Sequence, residues 1–168
     1  MKLFIIGLIL SFSFCCQAEQ NISAFGKIVS FEVPSSEWKK SDEQSTSSKG
    51  MLMFKHSTMK DSNGLSVQPV LSIVYEITPP SVKNIDDYVK YARAKSQYKV
   101  ETAIQLENGT VVFFYSYSEA GVAHSLTIGH VYSSGFGVQI ISDTTVSLLS
   151  QLNEEQKAFI SSVKIKNG

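Results

Sequence analysis

Apolar and polar positions along this chain repeat with two periods, and the change from one to the other marks its elements. Residues 28–33 (Ile-Val-Ser-Phe-Glu-Val) alternate and stop at Pro34, the pattern of a first, half-buried strand. Met51-Leu52-Met53-Phe54 is a short apolar run, and residues 70–77 predict a further strand that Thr78-Pro79-Pro80 ends. Between these lie residues 41–49 (SDEQSTSSK), polar enough to predict an exposed loop, and the turn residues Asp61-Ser62-Asn63-Gly64. The period then lengthens. Ile85, Tyr88, Val89 and Ala92 stand at i, i+3, i+4 and i+7, which predicts a helix over residues 85–96 with one apolar face. Asn84 supplies an N-cap, Asp86 and Asp87 lie in the first turn, and Arg93, Lys95 and Lys99 lie toward the far end. That charge order suits the helix dipole.

Residues 99–143 return to period two and read as an antiparallel meander. Asn108-Gly109 predicts a two-residue hairpin loop, which sets Leu106 opposite Val111, Ile104 opposite Phe113 and Thr102 opposite Tyr115. Ala120-Gly121 predicts a second, setting Tyr115 opposite Leu126 and Phe113 opposite Ile128. One face then collects Val100, Ile104, Leu106, Val111, Phe113, Tyr115, Leu126 and Ile128. The other mixes Gln105, Ser125 and Thr127 with Val112, Phe114, Val131 and Ile140, as expected of a partly covered face. A turn at Ser133-Ser134-Gly135 leads into a last strand over residues 136–141. Asp143 is expected to cap a short helical turn, and Asn153 with Gln156 to cap a terminal helix buried along Ala158, Phe159, Ser162 and Val163. The predicted fold class is α+β, an antiparallel sheet of about six or seven strands with helices packed against it.

The N-terminus has a different character. Met1-Lys2, an apolar run from Leu3 to Phe14, and the small-residue site ending at Ala18 have the order of a secretory signal peptide. The run is shorter than the ~20 residues a membrane-crossing helix needs. Residues 1–18 are therefore expected to be removed, leaving residues 19–168 as one domain without a transmembrane segment and located in the periplasm or outside the cell. Lipidation at Cys15 or Cys16 is the alternative, but Phe14 is not the small residue a lipoprotein signal carries there. Cleavage removes both cysteines and Lys2, so 14 cations face 15 carboxylates in a domain of 150 residues. Such a domain has no basic stripe for nucleic acid and no thiol for a disulfide or a zinc site.

The order of elements carries a resemblance. A first strand ending Phe31-Glu32-Val33-Pro34 is followed by Trp38, and a helix around Asp86-Asp87-Tyr88 precedes a four-strand antiparallel stretch. A terminal helix then runs into Ser161-Ser162-Val163-Lys164-Ile165. Over residues 25–166 this resembles the PsbP-like α/β/α sandwich, which includes photosystem II extrinsic proteins and DcrB-like bacterial envelope proteins. The resemblance implies a non-catalytic accessory domain that docks on a protein partner.

Catalytic patterns are sparse. His124 and His130 share one strand face about 20 Å apart at ~3.3 Å per residue, too far to ligate one metal. Each reads as a sheet-rim residue bonded locally, and His56 is remote from both. No nucleophile elbow, Walker loop, dinucleotide fingerprint or His-Glu-x-x-His occurs. The pairs Asp86-Asp87 and Glu154-Glu155 are expected in first helical turns, complementing the dipole. No catalytic residue, metal or cofactor is therefore expected. Aromatic content points elsewhere: Trp38, Tyr117, His124 and Tyr132 are the candidate docking residues, because aromatics are enriched in interface cores. The expected function is that of an exported accessory protein docked on a partner in the cell envelope. A periplasmic immunity-type inhibitor of a toxin and a small secreted serine hydrolase are the alternatives.

Overall fold

The computed structural model describes residues 20–95 and 102–166, so the expected leader (residues 1–18), Lys99 and Val100 lie outside the described residues. The elements are β1 (Gln20–Ala24), β2 (Val29–Val33), β3 (Lys39–Ser45), β4 (Lys49–Lys55), β5 (Met59–Lys60), β6 (Ser66–Val67) and β7 (Val70–Ile77). Helix α1 (Ile85–Arg93) follows, then β8 (Thr102–Gln105), β9 (Val111–Glu119), β10 (Val122–Ser133) and β11 (Phe136–Thr145). A 3-10 turn (Val146–Leu148), α2 (Leu149–Ser162) and β12 (Lys164–Ile165) complete the order.

Seven strands make an antiparallel sheet in the order β3-β4-β7-β11-β10-β9-β8, and β1-β2-β12 form a smaller sheet. Strand alternation sends Leu52, Phe54, Leu71, Ile73, Val138 and Ile140 to one face, where the small sheet and α2 cover them. Phe31, Phe54 and Phe159 meet there with centroids 5.8, 5.8 and 6.3 Å apart, joining small sheet, large sheet and α2. Each fully buried aromatic contributes about 1.5–3 kcal/mol, so this contact is a principal tie between the layers. The opposite face carries Phe113, Tyr115, Leu126 and Ile128 and is partly covered by α1. Tyr88 of α1 packs against Gly137, where an added Cβ would collide with the ring. Arg93 sits 4.9 Å from the Phe113 ring centroid. The class is α+β, as the periodicity predicts.

Helix α1 starts as its residues dictate, with Asn84 Oδ1 accepting from the Asp87 N–H at 2.9 Å. Strand β7 and the Ala120-Gly121 turn also match expectation. Both turn residues have positive φ (49° and 82°), and Tyr115 pairs with Leu126 and Phe113 with Ile128.

Other expectations are corrected. Of residues 41–49, expected as loop, 41–45 belong to the edge strand β3, exposed along most of its length and bulged between Lys40 and Asp42, and Lys49 opens β4. An edge strand needs one ladder and no buried face, so polarity does not prevent it. Around Asn108 the loop has three residues rather than two: Leu106 N–H donates to Thr110 O and Gly109 N–H to Leu106 O, both at 2.9 Å. Ile104 therefore pairs with Val112, not Phe113, and this one-residue slip turns Ile104 to the α2 side of the sheet. Asp143 belongs to β11 and does not cap the 3-10 turn. Helix α2 begins at Leu149 without a side-chain cap, so Asn153 and Gln156 are interior, and its buried residues are Leu152, Gln156, Phe159 and Ile160. Burial of leucines in its first turns outweighs the local cap signal.

Candidate functional site

The Ala120-Gly121 turn pairs Tyr117 with His124, and β11 brings Asp143 beside them. The Tyr117 and His124 rings stack at 4.7 Å with 22° between their planes. Tyr117 Oη donates to Asp143 Oδ2 at 2.6 Å, and His124 Nδ1 lies 3.2 Å from Asp143 Oδ1. Both carboxylate oxygens are thus engaged, one by each ring, which holds the two rings in a single arrangement. With Nδ1 turned to the carboxylate, His124 Nε2 points to the other side of its ring. The side chains of His124 and Asp143 keep 21% and 30% of their surface accessible. Leu126 and Ile128 continue the same face inward as an apolar floor.

The remaining candidates do not join this patch. Trp38 is buried (3% exposed) rather than exposed, on the α2 side, where Nε1 donates to Glu155 Oε2 at 2.5 Å and the ring meets His56 edge-on at 4.8 Å. It ties β3 to α2. Tyr132 lies at the far end of β10, half-buried, donating through Oη to the Val82 carbonyl at 2.8 Å beside Tyr88. His130 is a core residue (2% exposed) rather than a rim residue, enclosed by Phe113 and Tyr88 at 5.4 and 6.0 Å. Burial holds its pKa down to about 4 against a backbone hydrogen bond at Val111 that favours the proton, and Arg93 lowers it further. Among the described residues no group of three His, Cys, Asp or Glu side chains is arranged to hold a metal ion.

The local sequence pattern does not reveal a second feature. Where α2 diverges from the sheet toward β8, a wedge of about 200 Å³ opens, with Ile104, Leu106, Val112 and Phe114 on the sheet side and Leu149 and Ile160 on the helix side. The signal was Glu107 ahead of Asn108-Gly109. A three-residue loop ending in a left-handed glycine (φ 83°) sets the register that lines the wedge.

No family model and no curated protein matches this sequence. Solved structures do share its fold. Mog1p, a Ran-binding protein of Saccharomyces cerevisiae, superposes with a TM-score of 0.59 at 6% identity over 88% of this chain and 95% of its own. LpqN, involved in cell envelope biogenesis of Mycobacterium tuberculosis, gives 0.51 at 15% identity over 83% of each chain. A Bacteroides thetaiotaomicron protein gives 0.55 at 9% identity over 89% of this chain, which spans about half (49%) of that protein's length. At these identities the likeness is one of fold.

Proposed function

We propose that this chain is an exported, non-catalytic accessory domain of the PsbP-like and DcrB-like kind that docks on a protein partner of the cell envelope. The observation that carries the reading is the Tyr117–His124 stack, two accessible rings ordered in advance by Asp143 at the end of an apolar face. Aromatic anchors of this kind dominate protein interfaces, and ordering them beforehand lowers the entropy lost on binding. The Ran-binding and envelope-biogenesis proteins of the same fold are consistent with such a role. Inhibition of a delivered toxin would be one form of it.

The test is a pull-down with residues 19–168 from an envelope fraction. One protein should be retained stoichiometrically, and Tyr117→Ala or His124→Ala should reduce its retention at least tenfold while Tyr132→Phe leaves it unchanged. Retention indifferent to both variants removes this patch as the docking surface.

The contact between His124 Nδ1 and Asp143 favours a second reading, a serine hydrolase, because an imidazole oriented by a carboxylate is the base half of a catalytic triad. Turnover of p-nitrophenyl acetate that disappears in His124→Asn, together with covalent labelling of a single serine by a fluorophosphonate, would establish it, and turnover without serine labelling would reduce it to simple imidazole catalysis.

A further inference from the structure

Among the described residues β3 and β8 are the two edges of the seven-stranded sheet, and they differ in chemistry. An unpaired edge displays a row of backbone donors and acceptors, and proteins that stay unpaired blunt such edges with charge and bulges. Strand β3 is blunted on both counts. Its seven residues include Lys39, Lys40, Asp42 and Glu43, Lys40 is paired with Glu43, and a bulge interrupts the ladder at Ser41. Strand β8 (Thr102-Ala103-Ile104-Gln105) has no charge and no bulge, all four residues are exposed, and Ile104 leaves 44% of its surface in solvent.

The hydrogen-bond phase of β8 also suits addition. Leu106 N–H points to β9, so by antiparallel alternation Ile104 and Thr102 do too, and Ala103 and Gln105 turn their N–H and C=O groups outward. The wedge under α2 opens beside this edge. Asn108 Nδ2 donates to Ser161 O at 3.1 Å, tying the β8–β9 loop to the end of α2 and closing the wedge on that side. A strand laid along β8 would set every second side chain over the mouth of a space about 200 Å³ in volume, walled by Ile104, Phe114, Leu149 and Ile160.

We infer that β8 is a strand-addition site, taking an extended protein segment whose alternate residues are apolar and fill the wedge. This rests on the protein-docking reading and names a second surface for it. The charge around the site specifies the occupant. The cation lining the wedge, Lys157, is already paired with Glu154 at 3.1 Å, so no net charge is offered to an ionic ligand and an uncharged apolar segment matches. Pairing with a second copy is disfavoured by size. Two four-residue β8 strands meeting edge to edge, about 13 Å long and about 10 Å across, would bury only a few hundred Å² between them, well short of the ~1,200–2,000 Å² that stable interfaces bury.

The probe is a set of capped nine-residue peptides selected on the full chain from a randomised peptide library. Enriched sequences should alternate apolar and polar residues. On titration, the amide signals of Ala103, Ile104, Gln105 and Phe114 should shift most. N-methylation of a bound peptide should weaken it at least tenfold at every second position and hardly at all between, a period that contact through side chains alone does not produce. Gln105→Pro, which removes only an outward donor, should cost at least tenfold, and Ile104→Ser should weaken binding of apolar peptides. No enrichment, or shifts centred on Tyr117 and His124, would overturn the site while leaving the docking reading intact if the envelope partner is still retained. Loss of that partner as well would sink both. A concentration-dependent dimer by light scattering, abolished in Gln105→Pro, would mean that the edge pairs with itself and the peptide assignment is wrong.

Discussion

At the scale of one residue, His130 shows how position converts a common side chain into an acid-sensitive one. An unfolded chain protonates histidine near pH 6.5, whereas this buried ring holds out until about 4. Its folded-state pKa is depressed, so above pH 6.5 neither state carries the proton and stability is independent of this group. Between 6.5 and 4 only the unfolded chain gains it, and stability falls by roughly 3 kcal/mol at ~1.4 kcal/mol per unit. Below 4 the loss levels off. Urea unfolding followed from pH 7 to pH 4 should show this decline in the natural chain and a flatter one in His130→Leu; equal slopes would refute it. Alternation along β10 puts His130 on the same face as His124, and that much is legible from the sequence. Which of them is enclosed is not, since enclosure depends on α1 delivering Tyr88 from a distant segment.

At the scale of an element, α1 was the most legible piece, because its apolar stripe, its cap and its charge order all act within a dozen residues. Its seat was not legible. Gly137 lies inside the strand predicted over residues 136–141, and nothing local shows that its lack of a side chain is what admits the Tyr88 ring. Gly137→Ala should therefore destabilise by about 1–3 kcal/mol, the usual range for overpacking. A double-mutant cycle with Tyr88→Ala should be strongly non-additive, because truncating the ring removes the clash. Additive costs would mean that the glycine matters for its backbone alone. The β8–β9 hairpin teaches the complementary lesson. The Asn-Gly pair correctly located a turn, but one additional loop residue reversed the faces of Ile104 and Leu106 and moved them from the α1 side to the wedge.

At the scale of the molecule, one apolar cluster couples the layers. Phe159 touches both Phe31 of the small sheet and Phe54 of the large one, so Phe159→Ala should cost about 3–5 kcal/mol. That loss should appear in one cooperative transition. Circular dichroism and the fluorescence of the single tryptophan, Trp38, which bridges β3 and α2, should report the same midpoint before and after substitution. Separate midpoints would show that the small sheet and α2 unfold independently. The sequence by itself determined the class, the turns at Ala120-Gly121 and Ser134-Gly135, the helix α1 and the pairing of Tyr117 with His124, because each follows from spacing within a strand, a turn or a helix. Tertiary structure alone decided that Trp38 is a buried tie, that Asp143 orders a pair of rings instead of capping a turn, and that β8 borders an open wedge. Those outcomes depend on which distant segments meet, and meeting is governed by burial across the whole chain rather than by any local pattern.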